Sequence, residues 1–308
     1  MSMTPQLSII MPVYNCEETI IPAVRSILDQ SFTDFEFIIV DDGCTDQTIP
    51  HIKELADSRI IILSNEENIG LTRSLNKAIT RSTGAYIARQ DADDISMPGR
   101  LEKQITFMDA HPKITVLGTS RATLDHNGHI ISTTLLPEEP DYSSFLKRNC
   151  LAHGSIIIRR EDLIKAGGYN EVFKFTQDYE LWLRIAKDHK IMNLQEPLYG
   201  IRRHEKRVTL KKMDQACLFR ILARNLSKGK VSKEIIREVQ QAGIMSYYNH
   251  LVVQDKLDFH RTIKNKNIKY KLYKDAQQQL RQTITLRPIS LKPRLELALV
   301  TVALYLKH

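Results

Sequence analysis

The chain has 308 residues, 42% hydrophobic and 26% charged, enough for one large folded domain or a domain with an appendage. Its formal net charge of +8 is unevenly spread: residues 1–201 carry 20 Lys+Arg against 28 Asp+Glu, and residues 202–308 carry 24 against 8. No apolar run approaches the roughly 20 residues of a spanning helix, no secretory signal is expected, and four scattered cysteines without a CxxC pair predict free thiols in a reducing compartment.

In chain order, the first half alternates short apolar strands with amphipathic helices. Strands are predicted at residues 7–11, 35–40, 60–63, 85–88 and 114–117, with helices at 19–30, 46–56, 71–81 and 98–110, Pro98 opening the last. This alternation predicts an α/β fold: a Rossmann-like, mostly parallel sheet with helices on both faces. A hairpin turn at His126-Asn127-Gly128-His129, a strand at 155–158, and helices at 161–166 and 178–187 follow. Beyond Thr209 the pattern is helical: residues 214–226, 232–250, 251–264 and 270–285. The organisation expected is therefore a domain over 1–209 and a basic helical region over 210–308. That region reads as a solvated appendage, as a surface for anionic lipid or, less in keeping with the absence of any such motif, as a nucleic-acid binder. The apolar run Leu295–Leu306 is too short to span a bilayer and suits an interfacial position or the helical core.

The chemistry is concentrated at strand ends. Pro12-Val13-Tyr14-Asn15 ends the first strand, Asp41-Asp42-Gly43 the second, Asn68-Ile69-Gly70 follows the third, and Asp91-Ala92-Asp93-Asp94 ends the fourth. Each alone is an ordinary turn; all four at one edge of a parallel sheet define a nucleotide cleft. Clustered carboxylates repel one another unless a cation or donor joins them, and hard divalent cations prefer oxygen ligands.

Those four motifs, with Glu18 and the downstream run Gln177-Asp178-Tyr179-Glu180-Leu181-Trp182-Leu183-Arg184, resemble the ordered signatures of family 2 of the nucleotide-sugar glycosyltransferases over residues 5–205. The resemblance implies a GT-A fold, inverting transfer, and a metal-dependent hexosyltransferase acting in cell-surface polysaccharide synthesis. It implies that Pro12, Tyr14 and Glu18 line the base pocket and that Asp42 bonds the base, usually uracil. Gly70, Arg73 and Ala92 would lie by the nucleotide, and Asp91 by the ribose. Asp93 would hold Mn²⁺ or Mg²⁺ against the diphosphate, with His204 as a further ligand, and Asp178 would be the catalytic base. Glu180, two residues on, is the poorer candidate. Arg202-Arg203-His204 after Tyr199 resembles a closing segment spread by Gly200 and Ile201. His153-Gly154-Ser155 resembles an acceptor-side element. Trp182, the single tryptophan, has core spacing.

The implied partners are a nucleotide-diphosphate sugar, of the uridine type by the family's habit, a glycan or polyprenyl-linked acceptor, and the inner face of a membrane.

 The basic region would then hold the enzyme on that face from the cytoplasm, without nucleic acid as a partner. A processive synthase would carry a Gln-x-x-Arg-Trp motif and membrane spans, and neither is present, so single or few additions are expected. Two other classes compete. A non-catalytic sugar-nucleotide-binding or scaffold protein would keep the cleft and lose the base. A nucleotidyltransferase would need a Gly-rich basic loop after the first strand, where this chain reads Pro12-Val13-Tyr14-Asn15-Cys16-Glu17-Glu18.

Overall fold

The structure, a computed structural model, describes residues 4–203, 212–269, 273–286, 293, 296, 297 and 300. It divides into two compact units, Met1–Glu205 and Lys206–His308. His204 and most of the Leu295–Leu306 run lie outside the described residues.

The first unit is built on β1 (Leu7–Val13), β2 (Phe35–Asp41), β3 (Ile60–Ser64) and β4 (Tyr86–Arg89), all parallel in the order β3-β2-β1-β4. Every residue of β1 is buried, as a strand covered on both faces must be. Its Leu7, Ile9, Met11 and Val13 share a core with Ile20, Ala23, Val24 and Ile27 of α1 (Ile20–Leu28) and with Leu101, Ile105 and Met108 of α4 (Arg100–Ala110). α3 (Leu71–Arg81) packs against β1 and β2, burying Leu75, Ala78 and Ile79. α2 (Thr48–Glu54) follows β2.

The second half of the sheet is mixed. β5 (Ile95–Ser96), β6 (Ile114–Leu124), β7 (Ile130–Thr134), β8 (Ile157–Arg159) and β9 (Lys190–Arg202) complete nine strands. β8 runs antiparallel between β4 and β6, while β9 lies parallel to β6, so most of the ladder remains parallel. The hairpin turn falls between β6 and β7, with Gly128 at φ +90°.

Two expectations are corrected here. Pro98 does not open a helix: Ile95–Ser96 pairs with Gly200 and Tyr199, and α4 begins at Arg100 after Gly99 at φ +75°. The Gln30 side chain caps this start from α1's end, accepting from Leu101 N–H and donating to the Met97 carbonyl. β9, a strand of 13 residues, was absent from the predicted elements. It carries Pro197 and charged residues, and the ladder slips between Thr119 and Arg121, where Leu194 and Tyr199 are the successive partners.

α5 (Tyr142–Lys147), α6 (Arg160–Lys165) and α7 (Gln177–Ile185) complete this unit. Asp141 caps α5 by accepting from Ser144 N–H at 2.8 Å.

The second unit is helical: α8 (Met213–Ser227), α9 (Lys233–Ala242), α10 (Val253–Lys269) and α11 (Tyr273–Leu286). Ser232 caps α9. The single helix expected over 232–250 is broken by Gly243 at φ +85° into α9 and a 3₁₀ turn, Ile244–His250. Asn225 ties α8 to this turn and to α10 by donating to Tyr247 Oη and Asp255 Oδ2.

Arg100 is fully buried and spans the floor of the β4–α4 connection. It donates to Gln104 Oε1, Gln90 Oε1, Ser96 Oγ and the Arg89 carbonyl, and lies 5.2 Å over the Tyr199 ring. Burial pushes its pKa down to about 10, still far above neutrality, so the cation persists. Replacing it with methionine leaves those acceptors unpaired, and Arg100→Met should cost about 3 kcal/mol or more. Thermal unfolding followed by circular dichroism tests this: an unchanged midpoint would remove Arg100 as the anchor.

Candidate active site

The strand order reverses between β1 and β4, and open α/β sheets bind ligands at such a switch point. The Pro12–Asn15 and Asp91–Asp94 segments flank it. Pro12 is buried in register with Val40, whereas Tyr14 is 51% exposed and offers its ring face. Asn15, at φ +46°, accepts from Thr45 N–H through Oδ1, and Glu17 accepts from Gln47 N–H, which stitches the loop after β1 to the loop after β2. Glu18 is exposed on the same loop. Burial pushes the nearby thiols up, Cys16 to about 11 and Cys44 to about 12.

Asp42 follows the end of β2. Its carboxylate is buried and accepts from Asn65 Nδ2, Ile69 N–H and Ser74 Oγ at Oδ1, and from Gly70 N–H at Oδ2. These donors occupy most of what a carboxylate can accept. Asp42 thereby fixes the loop before α3. Asp41, half-buried at the end of β2, is the carboxylate left at the rim; its Oδ1 accepts from Cys44 N–H. Gly70 stands at φ +90° with open space where a Cβ would be, so its backbone is accessible. Arg73 is exposed and pairs with Glu171 at 3.3 Å.

The acidic loop is held from below and behind. Gln90, fully buried, donates to the Asp91 and Asp94 carbonyls. Thr19 donates to the Ala92 carbonyl, and Arg202 donates through Nε to the Asp93 carbonyl and through its backbone N–H to Asp94 Oδ1. Asp94 is buried, and burial, with the charges of Asp91 and Asp93 adding to it, pushes its pKa well above the usual carboxylate range. Asp91 and Asp93 are half-buried at the rim. Asp91 Oδ1 lies 2.6 Å from Arg89 Nη2, and Asp91 N–H donates to the Tyr199 hydroxyl. Among the described residues no three metal-binding side chains converge. The oxygen donors of the loop suit a hard cation held largely by a ligand's own phosphates, the usual arrangement for Mg²⁺.

Asp178 lies in the first turn of α7. It is half-buried, and Oδ2 accepts from Asn149 Nδ2 at 2.7 Å. Glu180 is buried and paired through both oxygens with Arg184, which takes it out of consideration as a base. One segment joins the two acidic centres: Asn149 holds Asp178, and Gly154, five residues on, backs Asp91. A Cβ at Gly154 would stand 1.9 Å from the Tyr199 hydroxyl oxygen and 2.7 Å from Asp91 Oδ2. Between them, His153 Nε2 lies 2.7 Å from the Tyr169 hydroxyl, with Trp182 edge-on at 6.2 Å between ring centroids. Burial and then the Arg89 charge hold His153 below its usual pKa, against the opposing charges of Asp178 and Asp91. Trp182 is fully buried, as its spacing predicted.

Arg89, Gln90, Asn149, Tyr169 and Tyr199 were missing from the candidate residues. Only Arg89 and Gln90 carried a local signal, two polar side chains at the end of an apolar strand.

The chain matches the model of Glycosyl transferase family 2 over residues 8–177. It belongs to that family. It is 34% identical over 264 residues to the glycosyltransferase EpsE of Bacillus subtilis, covering 81% of this chain and 95% of that one. It is also 34% identical over 185 residues to the Escherichia coli enzyme WfgD, named as a UDP-Glc:alpha-D-GlcNAc-diphosphoundecaprenol beta-1,3-glucosyltransferase, covering 60% of this chain and 71% of that one. Among solved structures, S. aureus TarS 1-349 in complex with UDP-GlcNAc superposes with a TM-score of 0.60 at 16% identity, covering 95% of this chain and 88% of that one. The mannosyltransferase PcManGT of Pyrobaculum calidifontis, in complex with GDP-Man and Mn²⁺, gives 0.59 at 14%, covering 99% and 81%. The fold is GT-A, and the glycosyltransferase reading stands over the scaffold and nucleotidyltransferase readings.

Gly154→Ala in this glycosyltransferase should destabilise the fold by roughly 1–3 kcal/mol through overpacking. Urea unfolding reads the effect; an unchanged midpoint would mean that Tyr199 and Asp91 yield without resistance.

Proposed function

We propose that this glycosyltransferase moves one sugar, with inversion, from a nucleotide-diphosphate donor of the UDP type to a glycan or polyprenyl-linked acceptor in cell-surface polysaccharide synthesis. The observation that carries the reading is the joining of Asp91 and Asp178 through the segment 149–154, which sets an acidic rim at the β1/β4 switch beside a carboxylate at the N-terminus of α7. The names of WfgD, which includes a UDP-sugar and a diphosphoundecaprenol acceptor, and of the TarS complex support the choice of donor and acceptor class.

In this reading Tyr14, Pro12 and Glu18 line the base side and Asp42 bonds the base. Gly70, Arg73 and Ala92 border the nucleotide, Asp91 the ribose. Asp93 would hold Mn²⁺ or Mg²⁺, and His204 would be a further ligand; when bound, the cation offsets the negative charge that develops on the leaving diphosphate. Asp178 takes the proton of the acceptor hydroxyl as that oxygen bonds to the anomeric carbon and the bond to the phosphate oxygen breaks on the opposite side. Asn149 orients the carboxylate for this step.

Asp178→Asn should reduce sugar transfer by a factor of about 100 or more while leaving Mn²⁺-dependent UDP binding nearly intact; Asp93→Ala should instead weaken that binding. Turnover of the Asp178 variant near the parent rate would remove it as the base.

The basic region supports a peripheral position on the cytoplasmic face of a membrane. No helix among the described residues is long and apolar enough to cross one. The full chain should co-sediment with vesicles containing phosphatidylglycerol at low salt and be released as the salt rises past the screening range. Equal sedimentation with neutral phosphatidylcholine vesicles would argue against an electrostatic dock.

A further inference from the structure

Arg89 is a cation that folding alone does not account for. It is 1% exposed, and its Nη2 lies 2.6 Å from Asp91 Oδ1, yet Nε and Nη1 are buried with no hydrogen-bond partner among the described residues. Buried polar groups are ordinarily satisfied, and a guanidinium placed only to fill β4 would have its remaining N–H groups paired. Its neighbour in the same floor, Arg100, shows the contrast, with hydrogen bonds from each of its three nitrogens.

What Arg89 does hold is Asp91. That carboxylate is bracketed by Arg89 on Oδ1, by the Tyr199 hydroxyl 3.4 Å from Oδ2, and by Gly154, whose lack of a side chain leaves room for both. Its side chain keeps 32% of its surface exposed, enough to meet a ligand. Asp93 and Asp94 follow within three residues, and without a fixed cation their mutual repulsion would turn Asp91 outward.

We propose that Arg89 is a positioning residue for the donor nucleotide: its guanidinium fixes the Asp91 carboxylate in the orientation that receives the ribose hydroxyls. This rests on the nucleotide-sugar reading of the site. Arg89 itself touches no substrate atom; it acts through Asp91, with Tyr199 fixing the loop's backbone from the other side.

Titration calorimetry with UDP and with 2′,3′-dideoxy-UDP, each with Mn²⁺, tests the proposal. The parent enzyme should favour UDP by about tenfold, the worth of a charge-assisted hydrogen bond. In R89M and R89Q that preference should fall toward parity, R89K should restore part of it, and D91N should abolish it with no further loss in the R89M/D91N double variant. A general structural defect would weaken both ligands and leave their ratio unchanged. A folded R89M or R89Q, verified by thermal melting, with the parent's preference overturns the proposal, and so does a parent enzyme that binds UDP without preferring it. A parent enzyme that binds neither nucleotide removes the nucleotide-sugar reading itself.

Discussion

Three carboxylates within four residues at the end of β4 repel one another, and the loop that carries them keeps its shape because a buried polar floor grips it. Gln90 binds the carbonyls of Asp91 and Asp94, Arg100 binds Gln90 and the carbonyl of Arg89, and Arg89 binds the side chain of Asp91. In a low-dielectric interior such contacts are strong when complete and costly when broken. The acidic loop, one wall of the switch point between β1 and β4, rests on this floor.

The second half of the sheet exists to complete that arrangement. β9 brings Tyr199 under Asp91 and Arg202 against Asp93 and Asp94, while the turn before β8 brings Gly154 behind the same carboxylate. The parallel half thus supplies the cleft, and the mixed half supplies the back wall and, through Asn149, the orientation of Asp178. In the proposed mechanism leaving-group stabilisation and proton removal fall on two elements joined by residues 149–154, which suits a single displacement, where the two events occur on opposite sides of the anomeric carbon.

Much of the nucleotide half was legible in sequence. The strands at 7–11, 35–40, 60–63 and 85–88 were visible because parallel strands buried on both faces read as continuous apolar runs. The ends of those strands, where polar residues follow abruptly, were visible for the same reason. β9 was hidden by Glu196 and Pro197 at its bulge, and the helix over 232–250 was overextended through Gly243, whose positive φ marks a break that the surrounding periodicity masked. Asp41 closes β2 and Asp42 follows it, and spacing alone did not show which partners each carboxylate meets. Asp42 turns toward Gly70 and Ser74, residues 28 and 32 positions on.

The sequence by itself determined the family, the first four strands and the place of the acidic loop, because hydrophobic periodicity and strand-end motifs are local properties of the chain. Tertiary structure decided how the three carboxylates differ. Asp94 is buried and pushed toward its neutral form, Asp91 is held by Arg89, and Asp93 stands on a loop whose carbonyl Arg202 grips. Apart from Arg89, two residues before Asp91, the partners that make these distinctions, Tyr199, Arg202 and Gly154, lie 60 or more residues away along the chain. Charge separation, burial and hydrogen bonding are through-space quantities, and only the folded sheet brings those partners to the loop.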